Sequence, residues 1–142
     1  MNEKSVKEPR GIRNNNPLNI RKGTKWRGEA KIQTDPEFEQ FTSLGYGIRA
    51  ALRLMRNHIS GFGGSRPPMN TLKKLISVWA PPAENNTKRY VDFVSEKCGL
   101  SPTQVIDPFD KGQMCRIARA MACMECGVWI EPAKFSSAWD LL

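Results

Sequence analysis

From Leu44 onward the apolar residues recur with a helical period, and glycine and proline cut that period again and again. Ile48, Ala51, Leu52, Met55 and Ile59 follow the i, i+3, i+4, i+7 spacing of one helix face. "GFGGSRPP" ends that segment. Thr71 is suited to cap "LKKLISVWA", whose stripe is Leu72, Leu75, Ile76 and Trp79, and Pro81 and Pro82 stop it. "ENNT" opens a third segment with Tyr90, Val91 and Val94 inward and Gly99 as its C-cap. "SPTQ" has the form of a capping box with proline at the first helical position. "DKGQ" gives a further start at Asp110, and a last long helix runs to about Glu125, with Gly127 as its C-cap. Short amphipathic segments of this kind bury their stripes only against one another, so a mainly helical bundle is expected.

The first 42 residues have a different character. Residues 1–11 are polar, with Pro9 and Gly11, and read as a flexible N-terminal arm. Residues 12–42 are rich in Asn, Gly, Pro and charge, with isolated apolar residues at Ile20, Trp26, Ile32, Phe38 and Phe41. That pattern suits irregular structure with a small β-hairpin. Residues 12–142 are expected to form one domain, as the chain length of 142 suggests.

No window holds 18 uninterrupted apolar residues, so no membrane span is expected. "MNEKSVKEPRG" lacks an apolar core, so no secretory signal is expected either. The chain is then expected in the bacterial cytoplasm that makes it, unless a partner or a virion carries it out. Its formal net charge of +8 favours polyanions: nucleic acid, the anionic bacterial cell wall or a membrane surface. Four cysteines without an export signal are expected to be reduced thiols.

Glu125 is the residue that periodicity singles out. Met114, Ile117, Ala118 and Met121 form the stripe of the last helix, and at about 100° per residue Glu125 points with them, toward the interior. Desolvation there disfavours the charged carboxylate, and the partial negative charge of a helix C-terminus adds to the effect. A carboxyl kept protonated near neutral pH is what a general acid requires. The alternative is a carboxylate that swings to solvent in a fraying turn, or one paired with an arginine.

The neighbouring Cys123 and Cys126 have C-x-x-C spacing, but at the helix end whose dipole disfavours a thiolate. A zinc site would need Cys98 and Cys115 to converge with them, and there is no second close pair. Packing is the default reading of all four, and no metal is expected. His58 is the only histidine and has no acidic or nucleophilic neighbour in sequence, which disfavours Ser-His-Asp and Cys-His chemistry.

Three segments resemble one superfamily. "IARAMACMECGVWIEP" resembles the glutamate helix of soluble lytic transglycosylases and goose-type lysozymes, with Glu125-Cys126-Gly127 in place of a Glu-Ser-Gly-like turn and Pro132 slightly late. "APPAENNTKRYVDFV" resembles their Glu-Thr-x-x-Tyr-Val element, Tyr90 matching the tyrosine. "RNNNPLNIRKGTKWRGE" resembles the Asn-Asn-x-x-Gly-Ile stretch and Trp-containing hairpin of lysozyme-like glucosaminidases. From about Arg10 to about Pro132 the chain also looks like small phage and prophage proteins, described as virion structural or cell-wall-degrading. In these, Leu18 stands where glycine is usual, and Met124 and Cys126 where His and Asn flank the glutamate. The resemblance implies an α+β lysozyme-like fold. The order of elements differs, because here the β region comes first, the tyrosine helix next and the glutamate helix last. That is the order of a circular permutation, and it requires Glu125 to lie near the Asn14–Ile20 segment and the residues after Gly127 to lie near "RGIRNNNP".

The resemblance further implies cleavage of the MurNAc–GlcNAc bond of peptidoglycan, with Glu125 as acid then base and Tyr90 orienting groups or stabilising charge. No cofactor is implied. Asn15, Asn16, Asn19, Trp26 and Asn86 are the substrate-binding candidates; the asparagines equally suit Asx-turns. Trp79 and Trp129 could also stack on sugars, although core packing is the plainer role of Trp79. A hydrolytic muramidase or glucosaminidase would add a second carboxylate, and Asp35 and Glu29 are the candidates, against a role as solvated turn residues. Peptidoglycan is the expected partner of a monomer, with virion components or holin-assisted release. The rival is a non-enzymatic basic virion or nucleic-acid-binding protein, though no nucleic-acid motif is found and no specific nucleic acid is expected.

Overall fold

The computed structural model describes residues 8–142, and the first seven residues of the expected arm lie outside it. The remainder of that arm is ordered structure. Arg10–Arg13 form a short helix, α1, with Gly11 buried. The fold is mainly helical: α2 is Leu44–Gly64, α3 Leu72–Trp79, α4 Thr87–Cys98, α5 Lys111–Cys126 and α6 Pro132–Trp139. Helix α2 packs on α5 and α6, α4 packs on α3 and α5, and α1 lies against α5.

Helices α2 to α5 are capped as their sequence dictates. Ser43, Thr71, Asn86 and Asp110 accept the backbone N–H of Tyr46, Lys74, Arg89 and Gln113, satisfying donors that a helix start leaves orphaned. Gly99 and Gly127 close α4 and α5 in the left-handed conformation, at φ 70° and 75°. The regular turns of α2 give way to a left-handed run at Gly61, Phe62 and Gly63. Buried side chains from all five long helices, among them Leu52, Leu75, Val94, Met121 and Phe135, form one core.

Two elements differ from expectation. "SPTQ" does not start a helix. Gln104 does reach back to the Ser101 N–H at 3.4 Å, but the backbone is drawn onto α3. Pro102 C=O accepts from Lys73 N, and Ile106 N donates to Asn70 C=O. Pro108 also disfavours helical geometry just before it. Conversely, α6 was not expected. Pro132 occupies its first turn, where a missing N–H costs nothing, and Phe135 and Ala138 anchor it to the core.

In place of a β-hairpin, the region from Arg21 to Phe41 shows two isolated antiparallel bridges, Arg21 with Phe38 and Glu29 with Phe41. Side-chain amides take the hydrogen bonds a ladder would use. Gln33 Nε2 donates to the carbonyls of Ala30 and Gln40, its Oε1 accepts Gln40 N, and Gln40 Oε1 accepts Thr34 N. Such local side-chain bonds compete directly with strand pairing. No helix among the described residues is long and apolar enough to cross a membrane.

Candidate active site

Glu125 sits in the last turn of α5, and its carboxyl is held from two directions. Tyr90, on α4, donates its hydroxyl to Oε2 at 3.0 Å, and Asn19 donates Nδ2 to Oε1 at 3.0 Å. Tyr90 is buried because α4 packs its inward face on α5, and its hydroxyl also lies 3.4 Å from the Met121 carbonyl. Asn19 reaches Glu125 from a loop 106 residues away in sequence. Its φ of +53° is a left-handed value that asparagine tolerates better than most residues. The loop is tied down by Asn16, fully buried, which donates to the carbonyls of Ile20 and Glu39 and accepts Ile20 N.

Burial raises the Glu125 carboxyl above its ordinary value, against the opposing hydrogen bonds from Asn19 and Tyr90 and the charge of Arg21. Burial, then the Glu125 charge, pushes the Tyr90 phenol well above its ordinary value, so Tyr90 remains a donor. Burial thus makes the carboxyl a weaker acid, while its two hydrogen-bond donors favour the charged form.

The space beside Glu125 is open on two sides. A cleft of about 490 Å3 is bounded by Glu125, Asn19, Arg21, Phe38, His58 and Trp79, with Glu84 at its edge. A second cavity, of about 310 Å3, lies between Glu125, Tyr90, Asn86, Arg89 and Met124. Glu125 lines both.

The other candidate residues take different places. Asn16 is sealed in the interior and cannot meet a ligand, so its expected binding role is corrected to a structural one. Asn15 is also structural, left-handed at φ +54° and bonded to the Phe41 carbonyl at 3.0 Å. Asn86 lines the smaller cavity while its side chain caps α4. Trp26 is half-buried and does not line the cleft. Asp35 is buried and held by Arg10 at 2.6 and 2.7 Å, by Asn14 at 2.9 Å and by the N–H groups of Glu37 and Phe38. The Arg10 guanidinium chiefly keeps it far below the usual carboxylate range, so Asp35 is a locked structural anion and not a solvated turn residue. Glu29 caps its own turn through Trp26 N and faces the buried Glu39.

Arg21, Phe38 and Glu84 belong to the cleft without a sequence signal for it, and His58, read in sequence as a helix-end residue without catalytic neighbours, lines it too. Phe38 lies between the guanidiniums of Arg10 and Arg21 at 4.5 and 5.2 Å, and Arg21 reaches Glu84 at 3.4 Å. His58 meets Phe62 and Trp79 edge-on, and burial lowers its pKa. Trp79 is a cleft wall as well as a packing residue, its indole N–H donating to the Leu18 carbonyl at 3.1 Å. All four cysteines are free thiols raised by burial, Cys98 to about 11. No group of three or more His, Cys, Asp and Glu side chains gathers among the described residues.

No family model matches the chain. It is similar to Protein P5 of Pseudoalteromonas phage PM2, with 38% identity over 102 residues, 69% of this chain and 61% of that protein. The chain thus has a bacteriophage relative and spans about three fifths of its length.

Proposed function

We propose that this chain cleaves the MurNAc–GlcNAc glycosidic bond of peptidoglycan, as a phage-derived lytic transglycosylase of circularly permuted lysozyme-like architecture. The observation that carries this reading is Glu125, its carboxyl raised by burial and gripped by Tyr90 and Asn19, on the lining of two cavities. Glu125 donates its proton to the glycosidic oxygen as the bond to the anomeric carbon breaks. Tyr90 steadies the carboxylate that results. The 6-hydroxyl of the same sugar then closes on the anomeric carbon and returns its proton to Glu125, giving a 1,6-anhydro end. No water-activating carboxylate is needed.

The Asn19–Glu125 bond supports the permuted order, which requires that loop and that helix end to meet. The locked state of Asp35 favours transglycosylation over hydrolysis by an Asp35 base. Glu84 carries a second reading, hydrolysis, since it lines the cleft with an exposed side chain. The protein would act on the cell wall after release from the host cytoplasm or from a virion.

Incubation with purified peptidoglycan tests the reading. Wild type should clear the suspension, and Glu125→Gln should lower the rate by about 10²–10⁴-fold. Mass spectrometry of the released fragments should show anhydro ends. Reducing ends, with activity lost in Glu84→Gln, would establish the hydrolase. Absence of clearing by wild type across pH and salt would leave the non-enzymatic basic virion or nucleic-acid-binding protein.

A further inference from the structure

A cavity of about 310 Å3 lies between α4, α5 and α6, lined by Ala120, Trp129, Pro132 and Phe135 and rimmed by Lys97, Arg116 and Arg119. Arg116 and Glu125 are nine residues apart on α5. At about 100° per residue they project from opposite sides of the helix, so this cavity is separate from the Glu125 cleft.

Two properties of the cavity point to a ligand. The first is its unpaired charge. Lys97, Arg116 and Arg119 make no ion pair among the described residues. Asp140, which faces Cys115 at one end, is taken by Lys111 at 2.9 Å. The second is a rigid aromatic wall. Trp129 is 45% exposed, yet it is held by two neighbours. Phe93 stacks on it at 5.9 Å, and the Arg119 guanidinium lies 4.9 Å from its centroid. Arg119 is itself held by its Nε–H bond to the Ile130 carbonyl, which leaves its terminal N–H groups free for an anion. Lys97 sits over the other ring of the stack, Phe93, at 5.7 Å.

A bare inorganic anion would leave the exposed Trp129 and Pro132 unused, and a neutral apolar molecule would leave three unpaired cations unanswered. We infer that this cavity binds a small amphiphilic anion, its apolar body against Trp129 and Pro132 and its carboxylate or phosphate on Lys97, Arg116 and Arg119. An amphiphilic anion gains from apolar contact and from charge-assisted hydrogen bonds together.

The test is an NMR titration of the full chain, following the Trp129 indole N–H, identified by its loss in Trp129→Phe. Phenyl phosphate and benzoate are the probes, with phenol and inorganic phosphate as the separate halves. One of the two amphiphilic anions should saturate at least tenfold more tightly than either half, and the tighter one names the head group. Lys97→Glu and Arg116→Glu, both at exposed positions, should each weaken that binding at least tenfold with unchanged thermal unfolding. Glu125→Gln should leave it unchanged, which separates this site from the proposed glycan cleft. Equal binding of phenol, shifts confined to the Glu125 cleft, absence of saturation, or binding indifferent to both charge reversals would each overturn the inference.

Discussion

At the scale of single residues, two carboxyls show how position sets chemistry. Glu125 is raised by burial, so between its ordinary value of 4.5 and its folded value the native state binds more protons than the unfolded chain. Its contribution to stability therefore falls as pH rises through that window, and the cost persists above it. Glu125→Gln removes the titration while keeping an acceptor for Asn19 or Tyr90. Thermal unfolding should be equal for variant and wild type near pH 4, with the variant at least as stable at pH 7. A wild type clearly more stable at pH 7 would sink the account of a costly buried carboxylate.

Asp35 has the opposite sign. Its pKa is depressed, chiefly by Arg10, so its stabilisation is present above its ordinary value of 3.8 and drains away as pH falls below it. Asp35→Asn should lower the melting temperature at pH 7, and the gap from wild type should narrow steadily below pH 4. A gap independent of pH would mean that packing, not charge, is what Asp35 supplies.

At the scale of elements, the helices were legible because period and caps agree. Thr71, Asn86, Gly99, Asp110 and Gly127 all mark ends that their residue types announce. Helix α6 was not read, although Pro132 at its start was an available signal, because only two of its side chains are buried. The region before Leu44 was least legible. Its geometry is set by bonds between Asn14, Asp35, Gln33 and Gln40, and such pairings leave no period. In the candidate site, the inward faces of Glu125 and Tyr90 followed from helix spacing. Asn19 against Glu125, and His58 and Arg21 in the cleft, depend on loop packing across long separations.

One close approach holds that loop to α2. A Cβ on Gly47 would fall 1.7 Å from the Asn15 carbonyl oxygen, a backbone atom that cannot step aside alone. Gly47→Ala should therefore destabilise the fold by about 1–3 kcal/mol in chemical denaturation. It should also depress any activity of the remaining folded protein, because Asn15 and Asn19 share one loop. A neutral Gly47→Ala would show that the loop is not seated on α2.

At the scale of the whole molecule, the net charge of +8 acts at long range. If an anionic polymer is the substrate, binding to it should weaken markedly as salt rises from about 0.05 to 0.5 M, where screening shortens the reach of surface charge. Turnover of a short neutral oligosaccharide should change little over the same range. Sedimentation with insoluble peptidoglycan measures the first, and chromatography of the cleaved oligosaccharide the second. Salt-independent binding to the polymer would argue that uncharged contacts dominate.

The seam between the start and the end of the domain has a practical consequence. Cys126 ends α5 beside Glu125, is only 8% exposed, and its Cβ lies 3.4 Å from where a side chain on Gly11 of α1 would begin. If α1 is what covers that sulphur, a bulky reagent should reach it only when α1 lifts away. With Cys98, Cys115 and Cys123 replaced by alanine or serine, the rate of maleimide attachment at Cys126 becomes a clock for local opening of the seam. Attachment should be slow, should accelerate in Asp35→Asn, where α1 loses the anchor of Arg10, and should abolish any clearing of peptidoglycan once complete. Labelling as fast as that of an exposed thiol would show that the seam does not close over the sulphur.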